Sequence, residues 1–474
     1  MSLAEATPEL DDAPELAHLA AHDRAFLGHP KGLGYLAAVE GCERFSYYSM
    51  QTLLTLYMVK YLLLPNHIGG VLGLNWLGDH WYHKAGQPLG SAIFGDYTAL
   101  VYLTPIAGGF IADRWLGRRA TLIAGAVVMA LGHFLLAIEG AFLFALIALV
   151  VGVGLFKGNI ASQVGELYRP GDLRRAMAFQ IFYIAINVSV VAAPLISGTL
   201  GERYGWHYGF GCAGVVMVAG LLLYLYARPW LPADTRAPAA PGTAPLTTPL
   251  MAQRTTPRMA LEPGDGARIL GICLLVPVMA VSLLTNQEIF NAYLVWADSA
   301  FQLTFNGQTL PTSWMITIDA TFSFSMLVAV AAFWKWRLER TGAEPDELGK
   351  MIVGSAFSMA GGLCLWFAAA HAGTGKIGLF WPVMFHLFNS IGFAHILPVS
   401  LALFTRLAPR AMNATITGIY YLAFFAANKI VGVVGGWYST MPTPQFWLLH
   451  VASAGVGLIA FATFKATLAK RLLA

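Results

Sequence analysis

The segment EGCERFSYYSM, Glu40 to Met50, places three charged side chains inside a long apolar stretch that spans residues 33–63. Glu40, Glu43 and Arg44 would each cost about 2.5–3.5 kcal/mol at the centre of a membrane-spanning helix. Such charges are tolerated where they pair with one another or line a water-filled cavity. Whether this stretch crosses a membrane therefore decides both the fold and the function.

The composition predicts a polytopic membrane protein. The chain has 474 residues, of which 57% are hydrophobic and only 11% are charged, and its mean hydropathy is +0.61. A soluble domain has about 25% charged residues. The net charge of +4 is too small to indicate nucleic acid, and the four cysteines lie in apolar segments without paired or metal-binding spacing. We interpret the cysteines as packing residues and expect no signal peptide in residues 1–30.

Apolar stretches long enough to cross about 30 Å of hydrocarbon recur twelve times along the chain. They fall at 33–63, 91–113, 119–138, 141–164, 175–200, 206–228, 268–300, 313–336, 349–371, 378–405, 411–436 and 444–468. The sequence therefore predicts an all-α fold with twelve transmembrane helices. The first and seventh stretches are longer than a span needs, which predicts tilt or extension beyond the bilayer.

The basic residues predict the orientation of these helices. With the N-terminus inside, the outer loops hold only Lys84, Arg203 and Lys376, whereas most of the 29 Lys and Arg residues fall in the tails and inner loops. Residues 229–266 are rich in Pro, Ala and Thr and indicate a flexible linker after the sixth helix. We expect a cytoplasmic tail (1–30), a six-helix bundle (31–228), a cytoplasmic linker (229–266) and a second six-helix bundle (267–474), with both termini cytoplasmic.

The segment GGFIADRWLGRR, Gly108 to Arg119, connects the second and third predicted helices. Its charges alone are equally compatible with a basic connecting loop. The ordered pattern of Gly, Asp-Arg, Gly and Arg-Arg resembles the loop signature of the major facilitator superfamily. That resemblance implies two bundles that rock around a cavity at the middle of the membrane. It also implies that Asp113 and Arg114 act in gating.

The charged residues of the first helix are predicted to share one face. Helical spacing of three and four brings together Glu40, Glu43, Arg44, Tyr47, Tyr48 and Gln51. One interpretation is an internal salt bridge that stabilises the bundle. That bridge would leave Glu40 as a surplus carboxylate, which can take up and release a proton from a cavity.

Three segments resemble the proton-coupled oligopeptide transporter family, also called POT or PTR. EGCERFSYY is similar to its E-x-x-E-R-F-x-Y-Y motif, and GGFIADRWLGRR is similar to a second signature. FQIFYIAINVSVVAAPLISG, Phe179 to Gly198, is similar to a third. The resemblance extends from about residue 31 to the C-terminus.

The resemblance implies roles for residues of the N-terminal half. Glu40, Glu43 and Arg44 match residues that couple transport to protons, and the matching Arg also binds the peptide carboxylate. Lys157, in GLFKGNI on the fourth helix, matches a lysine that completes this cationic pole. The other matching peptide-binding positions are Tyr47, Tyr48, Tyr102 and Asn187. The alternative for the tyrosines is core packing with satisfied hydroxyls, and for Tyr102 the two interpretations are equally compatible with the sequence.

The C-terminal half departs from the family pattern. The family's acidic residue before Gln on the seventh helix is Asn286 here, with Glu288 two residues later, and its partner Arg on the first helix is Gln51. The outer gate would then close through a hydrogen bond between amides rather than a salt bridge. A His of mammalian members corresponds to Gly95, so proton coupling would depend on the carboxylates.

The site for the peptide amino group is also altered. The family's Glu on the tenth helix corresponds to Phe393, near His395. Asp319 occupies the position of a family Asn on the eighth helix and is the acid that we expect to replace that Glu, beside Asn187. Glu288 is a second candidate for this anionic pole, and Tyr420 is expected to extend the aromatic pocket.

The leading hypothesis is a proton-coupled symporter that imports di- and tripeptides by alternating access in a bacterial inner membrane, working as a monomer. Protons are the coupling ion, and no other cofactor or metal is expected. The alternatives are a transporter of another carboxylate or an anion such as nitrate, or a membrane receptor or enzyme. The scattered histidines show no metal spacing and no nucleophile partner, so we expect no catalytic residues.

Overall fold

Twelve long helices, numbered α1 to α12 in chain order, dominate the computed structural model, which describes residues 23–169, 172–233, 262, 264–409, 413–469 and 472. The helices of the first half are α1 Lys31–Tyr57, α2 Gly86–Ile111, α3 Arg118–Leu135, α4 Phe142–Glu166, α5 Arg174–Ala193 and α6 Trp206–Ala227. Those of the second half are α7 Asp265–Ser282, α8 Trp314–Thr341, α9 Glu347–His371, α10 Phe380–Leu407, α11 Asn413–Gly435 and α12 Thr443–Phe464.

Shorter elements extend or connect the long helices. Among them are the turns of π-helix Met58–Leu62, Ala112–Leu116, Pro194–Gly198 and Lys465–Ala469 and the short helices Leu74–Trp76 and Thr199–Tyr204. A hairpin precedes α8, in which β1 Thr304–Phe305 pairs antiparallel with β2 Gln308–Thr309. Its turn residues Asn306 and Gly307 both have positive φ, at 50° and 77°, as a tight two-residue hairpin turn requires.

Ten helices of the described residues are long and apolar enough to cross a membrane. The two long helices outside this group are α1 and α2, at 27 and 26 residues. Four charged side chains lower the hydropathy of α1, and α2 carries Asp96 and several polar residues. Both helices also contact the other bundle. The twelve predicted spans correspond to α1–α12.

The helices pack in the same way in both halves of the chain. In the first half, α1 packs against α5 and α6, α4 packs against α2 and α3, and α3 packs against α6. The second half repeats these pairs: α7 with α11 and α12, α10 with α8 and α9, and α9 with α12. Between the halves, α2 packs against α11 and α8 packs against α5. The chain therefore forms two similar six-helix bundles, each buried against the other through equivalent helices.

Several predicted boundaries lie near the observed ones, and others lie outside the described residues. The helix α1 begins at Lys31, the last long helix of the first half ends at Ala227, and α7 begins at Asp265. Most of the predicted N-terminal tail and of the 229–266 linker lies outside the described residues.

The seventh predicted span is not one continuous helix. After Ser282 the chain forms a short helix Leu284–Gln287, a 3-10 turn Glu288–Phe290 and a further helix Ala292–Ala300. The carboxylate of Glu288 accepts hydrogen bonds from the side chain of Asn291 and from the backbone N–H of Ala292, both at 3.1 Å. A buried side chain thus bonds backbone that would otherwise continue the helix, and this interrupts the predicted 268–300 span.

The two bundles are joined on one side of the membrane. We call this the distal side, because it lies opposite the start of α1 and the end of α12. Within the described residues, every hydrogen bond and ion pair that crosses between the bundles lies on the distal side. Gly95 of α2 also meets Gly432 of α11 so closely that an added Cβ would lie 2.5 Å from the Gly432 Cα. The structure is therefore closed on its distal side.

Candidate functional site

A charged cluster lies on the face of α1 that the helical spacing predicts. The guanidinium of Arg44 makes two contacts with Glu43, donating from Nη2 to Oε1 at 2.7 Å and from Nε to Oε2. The same Nε lies 3.3 Å from Oε1 of Glu40. The three residues are 4%, 0% and 5% exposed for Glu40, Glu43 and Arg44. The internal salt bridge considered from the sequence is thus present.

Glu40 retains a free acceptor inside this cluster. Its Oε2 is fully buried, and no hydrogen-bond partner for it exists among the described residues. A buried carboxylate oxygen without a partner loses its water without compensation. The structure therefore gives Glu40 the position of a surplus carboxylate beside a paired Glu43–Arg44.

Lys157 of α4 faces the same cluster without entering its ion pairs. Its Nζ lies 4.9 Å from the ring centre of Tyr102, a cation–π contact. Its electrostatic neighbours are Arg44, Glu43 and Glu40. No carboxylate in the described part of the chain lies within 4.0 Å of it. Lys157 is thus a half-buried cation that has no ion-pair partner among the described residues.

Aromatic rings line the space beside these charges. Tyr47 lies against Arg44 at 5.1 Å and packs edge-on against Tyr48, whose ring lies 6.4 Å from Phe290 of the second bundle. Tyr102 stacks on Phe424 of α11 at 4.9 Å. The pocket is therefore built by both bundles, as a site between two rocking halves requires.

Tyr420 does not occupy the place in this pocket that the sequence suggests. Its hydroxyl is 3.0 Å from Ser400 and donates to the carbonyl of Leu397, and the side chain is buried within the second bundle. Tyr421, one residue later, is half-buried, 6.4 Å from the ring of Tyr102 and within electrostatic range of Arg44. One helical step rotates the side chain by about 100°, which moves the pocket position from 420 to 421.

The sequence reasoning missed several other residues of the pocket. They are Tyr97, Tyr183, Phe290 and Phe424, in addition to Tyr421. Tyr183 lies four residues before Asn187 on the same helical face, so a helical-face argument could have found it. Tyr97 lies five residues before Tyr102, about 140° away around the helix, so that argument does not find it. Phe290 follows the break after α7, where regular spacing fails.

Asp319 forms a buried hydrogen-bonded chain in the second bundle. Its Oδ1 lies 2.9 Å from Nδ1 of His386 on α10, and Nε2 of His386 lies 2.7 Å from the hydroxyl of Tyr293. His386 is fully buried, and Asp319 is 7% exposed. With Nδ1–H donating to Asp319 and the Tyr293 hydroxyl donating to Nε2, a neutral imidazole is fully satisfied. Asp319 then uses only Oδ1 in this chain.

Asn187 and Glu288 lie elsewhere than expected. Asn187 of α5 is half-buried and donates to the carbonyl of Tyr183 in its own helix at 2.8 Å, and no hydrogen bond joins it to Asp319 within the described part of the chain. Glu288 is fully buried and faces Asn291 and His450. A carboxylate with no exposed surface cannot contact a substrate in this conformation, so the expectation that Glu288 contributes to the pocket is wrong for the distally closed state.

The predicted amide gate is absent, and other residues close the distal side. Gln51 and Asn286 do not bond to each other: Oε1 of Gln51 has no partner among the described residues, and Asn286 accepts from Gln287. The contacts that close the distal side are Lys60–Asp298 at 2.7 Å, Asp96–Lys429, and Glu202 with the backbone N–H groups of Thr312 and Ser313. Each of these contacts joins a charged side chain of one bundle to a charged or backbone group of the other.

Asp113 and Arg114 lie at the end of α2 on the side where α1 starts. Asp113 lies 3.7 Å from Arg118 rather than pairing with Arg114, and Arg118 also contacts Glu166 at the end of α4. Arg114 lies over the ring of Phe110. Arg118 therefore links three helix ends of the first bundle, a role that the sequence reasoning did not assign to it.

Two repeated six-helix bundles with a charged and aromatic pocket between them define a secondary transporter of the alternating-access type. The sequence pattern of the POT family matches residues 119–243. The peptide transporter YePEPT of Yersinia enterocolitica subsp. palearctica is 30% identical over 473 residues, covering 87% of this chain and 89% of that protein. The chain belongs to the POT family, which is a family of transporters.

Two further comparisons agree. The di-/tripeptide transporter of Lactococcus lactis subsp. cremoris is 28% identical, covering 87% of this chain and 95% of that protein. The crystal structure of a mutant peptide transporter POT in complex with alafosfalin is 26% identical and superimposes with a TM-score of 0.78 over 96% of this chain and 99% of that one. The predicted family and the all-α major facilitator fold are confirmed, and the chain is a multi-pass membrane protein.

Proposed function

We propose that this protein imports di- and tripeptides together with protons. The observation that carries the proposal is the buried cluster of Glu40, Glu43 and Arg44, which lies beside the unpaired Lys157 in an aromatic pocket. Relatives named as peptide transporters and a related structure with alafosfalin support peptides as the substrate class.

The charges of this cluster explain how a proton and a peptide carboxylate can bind together. With all four groups ionised, Glu40 and Glu43 balance Arg44 and Lys157. A proton on Glu40 gives the cluster one net positive charge, which favours a carboxylate in the pocket. Lys157 is the cation without a paired carboxylate, so it is the group that the peptide C-terminus would contact, with Arg44 beside it. Loss of the proton from Glu40 would weaken the binding of the peptide carboxylate to the cluster and favour release of the peptide.

The amino group of the peptide requires an anionic partner in the same pocket. We assign Asp319 to that role, because its hydrogen bond to His386 uses only Oδ1 and leaves the second oxygen for an ammonium group. A field between Lys157 and Asp319 would align any short peptide regardless of its side chains. The tyrosines between them offer apolar ring faces and hydroxyls to varied side chains.

The direction of transport follows from orientation. We place both termini in the cytoplasm of a bacterial-type inner membrane, from the distribution of Lys and Arg, and the distal side outside. The structure is then closed toward the outside, as a transporter is when it releases its substrate inward. We propose that a single chain suffices, because the pocket is built entirely by its own two bundles.

Uptake of a labelled dipeptide into proteoliposomes tests this function. An inward pH gradient should drive accumulation above the external concentration, and a protonophore should abolish it. Unlabelled tripeptides should compete, whereas nitrate and simple carboxylates should not. Accumulation of nitrate with no dipeptide uptake would instead support the anion transporter, which needs only the cationic pole.

A further inference from the structure

A second acid–base pair lies buried in the second bundle, away from the pocket. Glu288, in the break after α7, and His450 of α12 are both fully buried. Oε2 of Glu288 lies 3.7 Å from Nε2 of His450, which is within ion-pair range but longer than a hydrogen bond. Neither atom has another hydrogen-bond partner among the described residues.

The other contacts of the two side chains fix where their hydrogens can be. Nδ1 of His450 lies 2.8 Å from the carbonyl oxygen of Phe446, which can only accept, so Nδ1 carries a hydrogen. In a neutral imidazole, Nε2 then presents a lone pair to a carboxylate oxygen. Two buried acceptors would face each other without a donor, and the pair would carry one uncompensated negative charge.

One additional proton resolves both problems. Placed on Nε2 it gives an imidazolium facing a carboxylate, and placed on Oε2 it gives a carboxylic acid that donates to imidazole. In either form the pair is neutral overall, and a donor faces an acceptor. We propose that Glu288 and His450 form a proton-binding site that is loaded whenever the distal side is closed.

The site is connected to the contacts that close the distal side. Oε1 of Glu288 accepts from Asn291, and Oδ1 of Asn291 accepts from the hydroxyl of Ser91 on α2, in the other bundle, at 2.9 Å. Asn291 also donates to the carbonyl of Val431 on α11. The same residues therefore hold the break after α7, the proton pair and the α2–α11 contact between the bundles. Loading this pair favours the closed arrangement of all three.

The charged and titratable groups on the surrounding elements have partners of their own. Asp96 of α2 pairs with Lys429 of α11. Asp319 of α8 hydrogen-bonds His386 of α10, which hydrogen-bonds Tyr293 after the α7 break. The side chains of α1 and α12 that contact this region include Thr55, Phe446 and Trp447, which carry no charge. Each of these groups is paired or neutral, so no other charge compensates the Glu288 carboxylate when the pair lacks its proton.

The proton can be observed directly in the full chain, reconstituted in lipid nanodiscs with 15N-labelled histidine. The His450 signal is assigned by its loss in His450→Gln. In the wild type, its Nε2 signal should stay constant between about pH 6 and pH 8, because the pair keeps its one proton over that range. In Glu288→Gln it should become that of a neutral imidazole accepting from an amide. An identical, ordinary titration in both proteins overturns the proposal.

His395 is the matched control for this measurement. Its Nδ1 makes the same contact to a backbone carbonyl, that of Ile391, at 2.8 Å, but its Nε2 accepts from Trp334 rather than facing an acid. Its signal should be unchanged by Glu288→Gln.

The link to the distal side is tested with spin labels at Gly69→Cys and Gln308→Cys, in a chain whose native cysteines are replaced. Both sites lie at the distal side, one on each bundle. The side chain in Glu288→Gln is neutral without a proton, so the distance between the two labels should stay short at every pH. His450→Gln removes the imidazole from beside the Glu288 carboxylate, so the distance between the labels should increase, and more so as the pH rises. Equal opening in both variants, as for loss of a purely structural bond, would overturn the link.

These experiments use no peptide. The proposal rests on proton-coupled transport for its physiological meaning. A negative result for the Glu288–His450 pair would nevertheless not contradict peptide uptake, and a negative result for peptide uptake would not contradict the pair.

Discussion

Asp319 of α8 and His386 of α10 are joined by a buried hydrogen bond of 2.9 Å, although 67 residues separate them in the sequence. The imidazole is held from its other side by Tyr293, which follows the α7 break. Three helices of the second bundle thus contribute to one buried hydrogen-bonded chain that ends at the Asp319 carboxylate. This arrangement gives the acid a defined position and leaves one of its oxygens for a ligand.

Asp319→Asn should remove the preference for peptides with a free amino group. In the wild type, a dipeptide should compete for uptake far better than its N-acetylated form, because an unpaired ammonium in the pocket costs several kcal/mol (about tenfold in affinity for each 1.4 kcal/mol). In the variant, this gap should shrink to little or nothing. Asp346→Asn, at an acid outside the membrane that pairs with Lys465, serves as the control. An unchanged preference would place the amine site elsewhere.

Tyr421→Phe and Tyr420→Phe should separate binding from stability. The Tyr421 hydroxyl is the one we place in the pocket, so its loss should weaken peptide affinity by up to about tenfold, at about 0.5–1.5 kcal/mol per hydrogen bond. Tyr420 bonds Ser400 and Leu397 within its own bundle, so its loss should lower the melting temperature and leave affinity near the wild-type value. Binding isotherms and thermal unfolding of both purified variants test this prediction. Weaker peptide affinity in Tyr420→Phe and a lower melting temperature in Tyr421→Phe would show that Tyr420 is the pocket residue.

The distal side should respond to charge and to salt. Lys60 and Asp298 are partly exposed and 2.7 Å apart, so their pair contributes about 0.2–1 kcal/mol to closure. Lys60→Asp should open the distal side by placing like charges together, and the double variant with Asp298→Lys should close it again. The distance between labels at Gly69→Cys and Gln308→Cys reports both states. A distance between the labels that changes neither with salt nor with the charge reversal would show that this pair does not act as a gate.

The charged cluster of the first helix could be predicted because helical spacing alone brings its members to one face. Glu40, Glu43 and Arg44 span little more than one turn, so no tertiary information was needed. The surplus position of Glu40 followed from counting charges. The twelve helices were predictable for a similar reason, since length and hydropathy are local properties.

The partners of Asp319 and Glu288 could not be predicted in this way. His386 and His450 lie on other helices, and only packing shows which face of each helix meets the acid. Tyr421 was missed because a single residue changes the helical face by about 100°. The α7 break was missed because it depends on a buried carboxylate that bonds the backbone of Ala292, which an apolar pattern does not reveal. To predict the gate, one would have to know that Lys60 of the first bundle and Asp298 of the second lie next to each other in the folded chain.

Glu43→Gln and Glu40→Gln are expected to differ, although both are acids of one cluster. Glu43 supplies the two contacts of the Arg44 guanidinium, and removing one partner of a buried pair costs about 3–5 kcal/mol. That variant should therefore lose stability as well as coupling. Glu40 makes only the 3.3 Å contact, and its neutral variant should remain folded. Thermal unfolding of both purified variants provides the comparison.

The central claim is that Glu40 carries a proton whose binding drives peptide uptake. The most direct measurement compares Glu40→Gln with the wild type in proteoliposomes, in two modes. Under an inward pH gradient, the wild type should concentrate a labelled dipeptide and Glu40→Gln should not. With equal peptide on both sides and no gradient, both should exchange label at comparable rates, because the binding pocket is intact. Undiminished pH-driven accumulation by Glu40→Gln would contradict the account.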